Sequence, residues 1–157
     1  MIYYTKWWKV EDLVMFKGEY AHNIDKKGRI IMPARFRDEL GDVVTVTKGF
    51  DNCLNVYTKE QFDMIYQQIV KLPETNKDVR RYQRNFLSSA FDCEFDAQGR
   101  ITIPSKLVLK AGLVKECMIL GVGNRLEIWD KERWLKEEEE SDEVYEEIAE
   151  NLTEYLL

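Results

Sequence analysis

Residues 25–33 of the chain read DKKGRIIMP, and residues 96–104 read DAQGRITIP. The string recurs at an offset of 71 positions, and the likeness spreads well beyond it. At that offset Tyr20, His22 and Ile24 align with Phe91, Cys93 and Phe95. Asp25, Gly28, Arg29, Ile30, Met32 and Pro33 align with Asp96, Gly99, Arg100, Ile101, Ile103 and Pro104. After one inserted residue, NCLNVYTKEQF at 52–62 falls on NRLEIWDKERW at 124–134. The duplication covers most of residues 16–136. Stacked repeat arrays need about three or more units to bury a continuous core. Two copies in 157 residues, the length of one ordinary domain, point to halves that complete each other.

Each copy repeats one local pattern. The alternating residues Tyr20, His22, Ile24 and Phe91, Cys93, Phe95 predict a half-buried strand, since successive side chains in a strand point to opposite faces. Asp-x-x-Gly then suits a tight turn, with aspartate at its first position and a glycine free to take positive φ at its last. The return strands, 29–32 and 100–103, turn Ile30, Met32, Ile101 and Ile103 inward. Pro33 and Pro104 lack the N–H a ladder needs and suit the first turn of a short helix, ended by Gly41 or Gly112. Further strands are expected at 43–47, 54–57, 117–120 and 126–129. Helices follow from the caps Thr58, with Gln61 three residues on, and Asp130. Phe62, Ile65, Ile69 and Leu72 stripe the first of these, and Val79, Tyr82 and Phe86 stripe a linker helix. A last helix is expected from Ser141, with Val144, Ile148, Leu152 and Tyr155 on one side.

Charge is unevenly spread. The net −6 combines twelve acidic and three basic residues in 130–157 with eighteen basic and fifteen acidic residues in 15–129. An acidic whole chain therefore does not exclude a nucleic-acid partner, because the local field decides. No run of about 18 apolar residues predicts a membrane span. Residues 1–14, MIYYTKWWKVEDLV, lack the apolar core and small-residue cleavage site of a secretory signal. WWKVED back-translates to a sequence that can hold a ribosome-binding site, so Met15 is read as the native start and 1–14 as translated leader; the alternative is an aromatic arm. Cys53, Cys93 and Cys117 are scattered and His22 is the sole histidine, far from the four close ligands of a zinc site. No metal and no cofactor is expected, and the thiols are read as reduced. No catalytic constellation stands out, so the chain is not read as an enzyme. GVGNR is too short for a nucleotide fingerprint. His22, Trp129, Trp134 and Phe62 are read as packing or interface residues.

The turns lift cations off a β frame. Lys26, Lys27 and Arg29 do so in the first copy, and Gln98 and Arg100 stand at the second. An exposed ion pair contributes only about 0–1 kcal/mol, a thin reason to place arginine twice. Its planar fork fits phosphate oxygens or the guanine edge. Lys26, Lys27, Arg29, Gln98 and Arg100 are therefore the candidate DNA-binding residues, and Asp25, Gly28, Asp96 and Gly99 the loop-structuring ones. Arg35, Lys106, Arg80, Arg81 and Arg84 are candidates for phosphate or subunit contact. Ala97 and Gln98 replace two lysines, so the loops are expected to bind unequally.

The stretches MFKGEYAHNIDKKGRIIMPARFRDEL, SSAFDCEFDAQGRITIP and GVGNRLEIWDKERW, in this order and spacing, resemble the MraZ family over nearly the whole chain after Met15. The resemblance implies an α+β fold: a double swapped-hairpin, AbrB-like β barrel made as a pseudo-dimer, with flanking helices and a C-terminal acidic helix. It implies a ring-shaped homo-oligomer and a transcriptional regulator of the bacterial cell-division and cell-wall gene cluster. Such a protein binds direct repeats upstream of its own operon as a repressor. The family's D-x-x-x-R element falls on Asp25/Arg29 and Asp96/Arg100. The division expected is 1–14 extension, 15–72 first repeat, 73–86 helical linker, 87–136 second repeat and 137–157 acidic helix. Partners are double-stranded DNA and the chain itself, with no membrane and no small-molecule substrate, in the cytoplasm at the nucleoid. The alternative is a ring-forming scaffold that binds a protein. An antitoxin role fits less well, because no disordered toxin-wrapping tail is evident.

Overall fold

The computed structural model describes residues 15–156; the expectations for residues 1–14 lie outside them. The first copy supplies β1 (Glu19–Asn23), β2 (Arg29–Ile31), α1 (Ala34–Leu40), β3 (Val43–Lys48), β4 (Leu54–Thr58) and α2 (Lys59–Val70). Then come α3 (Lys77–Ser88), β5 (Phe91–Glu94), β6 (Arg100–Thr102), α4 (Ser105–Lys110), β7 (Glu116–Gly121), β8 (Leu126–Asp130) and α5 (Lys131–Glu143). The chain closes with α6 (Tyr145–Asn151) and a 3-10 turn, Thr153–Tyr155.

The halves exchange strands. One sheet runs β1-β7-β8-β4-β3-β5, and β2 pairs with β6 in a separate antiparallel ribbon. β1 of the first copy lies on β7 of the second, and β5 of the second lies on β3 of the first. A pseudo-twofold passes between β8 and β4, where Asn55 faces its own counterpart Glu127, and through the ribbon, where Ile30 faces Ile101. Each return strand thus pairs mainly with its twin rather than with the strand before it. Among the described residues a single bridge, Ile24–Ile30, links the end of β1 to β2. Among the described residues the ladders do not close into a barrel: β1 and β5 are free edges, and the ribbon covers one face instead.

The core fills the space between ribbon and sheet. Ile30, Met32, Ile101 and Ile103 point inward at 0–2% exposure and meet Val44, Val46, Ile119 and Ile128. Phe36 and Leu40 of α1 and Leu107 of α4 plug the same core, and Phe36 packs edge-on against Phe16 and Tyr20 at 5.2 Å. Pro33 and Pro104 sit one position before their helices, and Gly41 ends α1 at φ 77°. The sheet's other face carries α2 and α3 over β3 and β4, and α5 over β7 and β8. Trp129 is buried there against Trp134, ring centres 5.4 Å apart, and Phe62 stacks on Phe86 at 6.2 Å. The caps form: Thr58 Oγ1 accepts from Gln61 N at 3.1 Å, and Asp130 Oδ2 from Arg133 N at 3.4 Å. Leu72 lies beyond the end of α2 and is exposed, so the stripe stops at Ile69. The acidic segment also differs from expectation. α5 runs unbroken through Ser141 and breaks at Val144, a β-branched residue outside helical geometry at φ −116°.

Candidate nucleic-acid interface

Both turns are built alike. In the first, Asp25 Oδ1 accepts from the N–H groups of Lys27 (3.0 Å) and Arg29 (2.9 Å). Its Oδ2 accepts from Arg29 Nε at 2.6 Å. In the second, Asp96 Oδ1 accepts from Gln98 and Arg100 N–H, both at 2.9 Å, and Oδ2 from Arg100 Nε at 2.7 Å. The backbone N–H of Arg29 above all, with the other donors around it, holds the Asp25 carboxyl below its ordinary range. Arg100 does the same for Asp96. The aspartate thus folds the turn and orients the arginine in one act. Among the described residues, no acceptor meets the two terminal nitrogens of Arg29 or Arg100.

Gly28 and Gly99 take φ 81° and 76°, the left-handed region that the last turn position needs. Each also ties its turn to the opposite half: Ile103 N donates to Gly28 O at 2.8 Å, and Met32 N to Gly99 O at 3.2 Å. The two turns therefore sit at opposite ends of the β2–β6 ribbon, each clamped by the other copy's return strand. With Ile30 and Ile101 inward, period-two alternation sends Arg29, Ile31, Arg100 and Thr102 to the outer face. Arg29 opposes Thr102 and Arg100 opposes Ile31, so the arginines are diagonal neighbours, about 7–8 Å apart by ribbon spacing. A two-stranded ribbon is narrow enough for the roughly 12 Å DNA major groove.

Lys26, Lys27, Asp25, Asp96 and Gln98 are exposed, and Gly28 and Gly99 are buried. The first turn carries three cations to one carboxylate, and the second one to one. Arg35 is exposed beside the first strand and donates to Tyr20 Oη at 3.2 Å; Lys106, its counterpart, is exposed on α4. Arg80, Arg81 and Arg84 lie on α3, behind the sheet and away from the ribbon, with Arg80 donating to Glu74 O at 2.8 Å. Ile31 and Thr102 of the ribbon face were not singled out from the sequence, though alternation from Ile30 and Ile101 points to them. Arg37 was also missed. Its Nε donates to Met32 O at 3.1 Å and its guanidinium lies on Gly99, where the second copy has Val108.

A chain that folds two copies of one strand–turn–strand unit into a single body of exchanged strands is a double swapped-hairpin protein. A family model described as "MraZ protein, putative antitoxin-like" matches it twice, over residues 15–85 and 86–155. The chain belongs to the MraZ family. It is 48% identical over 143 residues to the protein named Transcriptional regulator MraZ of Ligilactobacillus salivarius, covering 91% of this chain and 100% of that one. The same figures hold for the namesake of Heliobacterium modesticaldum. That of Lactobacillus helveticus is 48% identical over 138 residues, 88% of this chain and 96% of its own. Among the described residues no helix is long and apolar enough to cross a membrane, and no group of three potential metal ligands gathers.

Proposed function

We propose that this chain is a sequence-specific DNA-binding transcriptional regulator that represses the cell-division and cell-wall operon from direct repeats upstream of its own gene. The observation that carries the reading is the outer face of the β2–β6 ribbon, where two arginines, each held by an aspartate, keep their terminal nitrogens unpaired among the described residues. Relatives at 48% identity carry the name of transcriptional regulators. The protein acts at the nucleoid, in the cytoplasm. One ribbon neutralises few phosphates, and each contributes a salt slope of only about −0.9. A ring of copies sets identical ribbons side by side and raises apparent affinity by about 10²–10⁴ without a new kind of contact. Repeated boxes in the DNA are the natural counterpart of a repeated reader. Arg29, with Lys26 and Lys27 beside it, leads; Arg100 and Gln98 support.

Fluorescence anisotropy with the duplex upstream of the gene tests this. Arg29→Ala and Arg100→Ala should each weaken binding about 5- to 150-fold, the range for a lost bidentate base contact, with Arg29 the larger loss. A protein-binding scaffold would leave that duplex unbound. Full affinity in the double variant would overturn the reading.

A further inference from the structure

Among the described residues, the C-terminal arm and a cleft on the far side of the sheet are both without partners, and their chemistries match. From Asp142 to Leu156 every residue is exposed. α6 and the 3-10 turn align Tyr145, Ile148, Leu152 and Tyr155 along one side, at 43–76% exposure. Glu143, Glu146, Glu147, Glu150 and Glu154 flank them. An amphipathic helix left bare on its apolar side is a face made for a groove. The groove lies between the β3–β4 turn and α3, a cleft of about 700 Å³. Phe50, Tyr82 and Phe86 wall it, with Phe50 80% exposed and Tyr82 42%. Lys48, Arg81 and Lys110 line it against a single carboxylate, Asp51. None of the three cations has an ion pair among the described residues. Desolvation above all, with a smaller contribution from the nearby Lys48 and Lys106 ammoniums, holds the Lys110 ammonium below its ordinary range.

We propose that this cleft receives the C-terminal arm, α6 and its 3-10 turn, of a second copy of the chain. The arm's carboxylates meet the cations at the rim, and its tyrosine–isoleucine–leucine stripe enters the aromatic floor. The neighbour's arm fits better than the chain's own. Arg133, near the start of α5, donates to Asn52 O at the cleft rim (3.5 Å), and α5 then carries the chain roughly 15 Å onward before α6 begins. The chain's own arm is exposed at every residue from 142 to 156 and does not fill its own cleft. Joining two different patches is a heterologous contact, which generates a ring when the rotation closes. The inference rests on the self-assembly part of the proposed function and is independent of DNA binding.

The test uses full-length protein, half of it isotopically labelled, with the photo-reactive p-benzoylphenylalanine in place of Ile148. Cross-links from position 148 to peptides holding Phe50 or Tyr82, with mixed isotope content, are expected. Arg81→Glu with Lys110→Glu, both exposed and remote from the core, should raise the concentration for half-assembly about tenfold or more, as like charges then face the arm. Glu147→Lys with Glu150→Lys should do the same, and mixing the two variants should restore assembly. Sedimentation as a single chain at every concentration would overturn both this inference and the ring. An oligomer whose cross-links avoid the cleft, or join only like isotopes, would overturn this inference alone. So would native mass spectrometry that finds a small molecule or a different protein in the cleft.

Discussion

Asp25 and Asp96 each accept three hydrogen bonds from their own turn, and that local economy explains why aspartate and arginine recur four residues apart. A carboxylate held below its ordinary range stabilises the folded turn at every pH above its unfolded value, near 3.9. That contribution is lost as pH falls through the lowered, folded value. NMR titration of the two carboxyl carbons should therefore give midpoints below 3.8 and turns that are indifferent to pH near neutrality. The glycines behave less alike. A Cβ on Gly28 would stand 2.7 Å from the Ile103 carbonyl oxygen, a backbone atom that cannot step aside. On Gly99 it would meet the end of the Arg37 side chain, which can swing away. Both substitutions strain a positive φ, so Gly28→Ala should cost about 1–3 kcal/mol and Gly99→Ala nearer the lower end, read from urea denaturation. The turns were legible in the sequence because their bonds span four residues or fewer. Arg37 on Gly99 was not, because nothing near either residue in the chain announces the contact.

Strands and helices were legible where their signals are local: alternation for β1 and β5, the Thr58 and Asp130 caps, and proline before α1 and α4. Pairing was not. β2 and β6 are three residues each, too short to encode a partner, and their register comes from the packing of Ile30 against Ile101 over the shared core. Truncating either isoleucine to alanine removes a side chain at 0–1% exposure and should cost about 2–5 kcal/mol. The double variant should cost less than the sum, because the two side chains face each other across the axis. A thermal-shift series on the three variants measures both effects. The helix break at Val144 escaped a reading by charge and periodicity, since neither pattern changes there.

For the whole molecule, the offset of 71 residues was enough to foresee two complementary halves, and the exchange of β1 and β5 between them is that complementarity in three dimensions. The cleft and the free arm were less visible, because a surface becomes a surface only after the sheet has chosen its sides. The duplicated body also buries its three thiols in both halves. Burial pushes Cys53 up to about 12, and Cys93 and Cys117 up to about 11, so thiolate is scarce at neutral pH. Iodoacetamide at pH 8 should label native protein slowly and unfolded protein at the rate of free cysteine, as intact mass would show. DNA is expected to meet this body on the outer face of the β2–β6 ribbon. Hydrogen exchange of the full chain, with and without the duplex upstream of its gene, tests that directly. Added protection is expected at residues 25–31 and 96–102, stronger in the first turn, with the segment after residue 142 unchanged by DNA. Protection confined to α3 or to the far side of the sheet, with both turns exchanging as before, would contradict it.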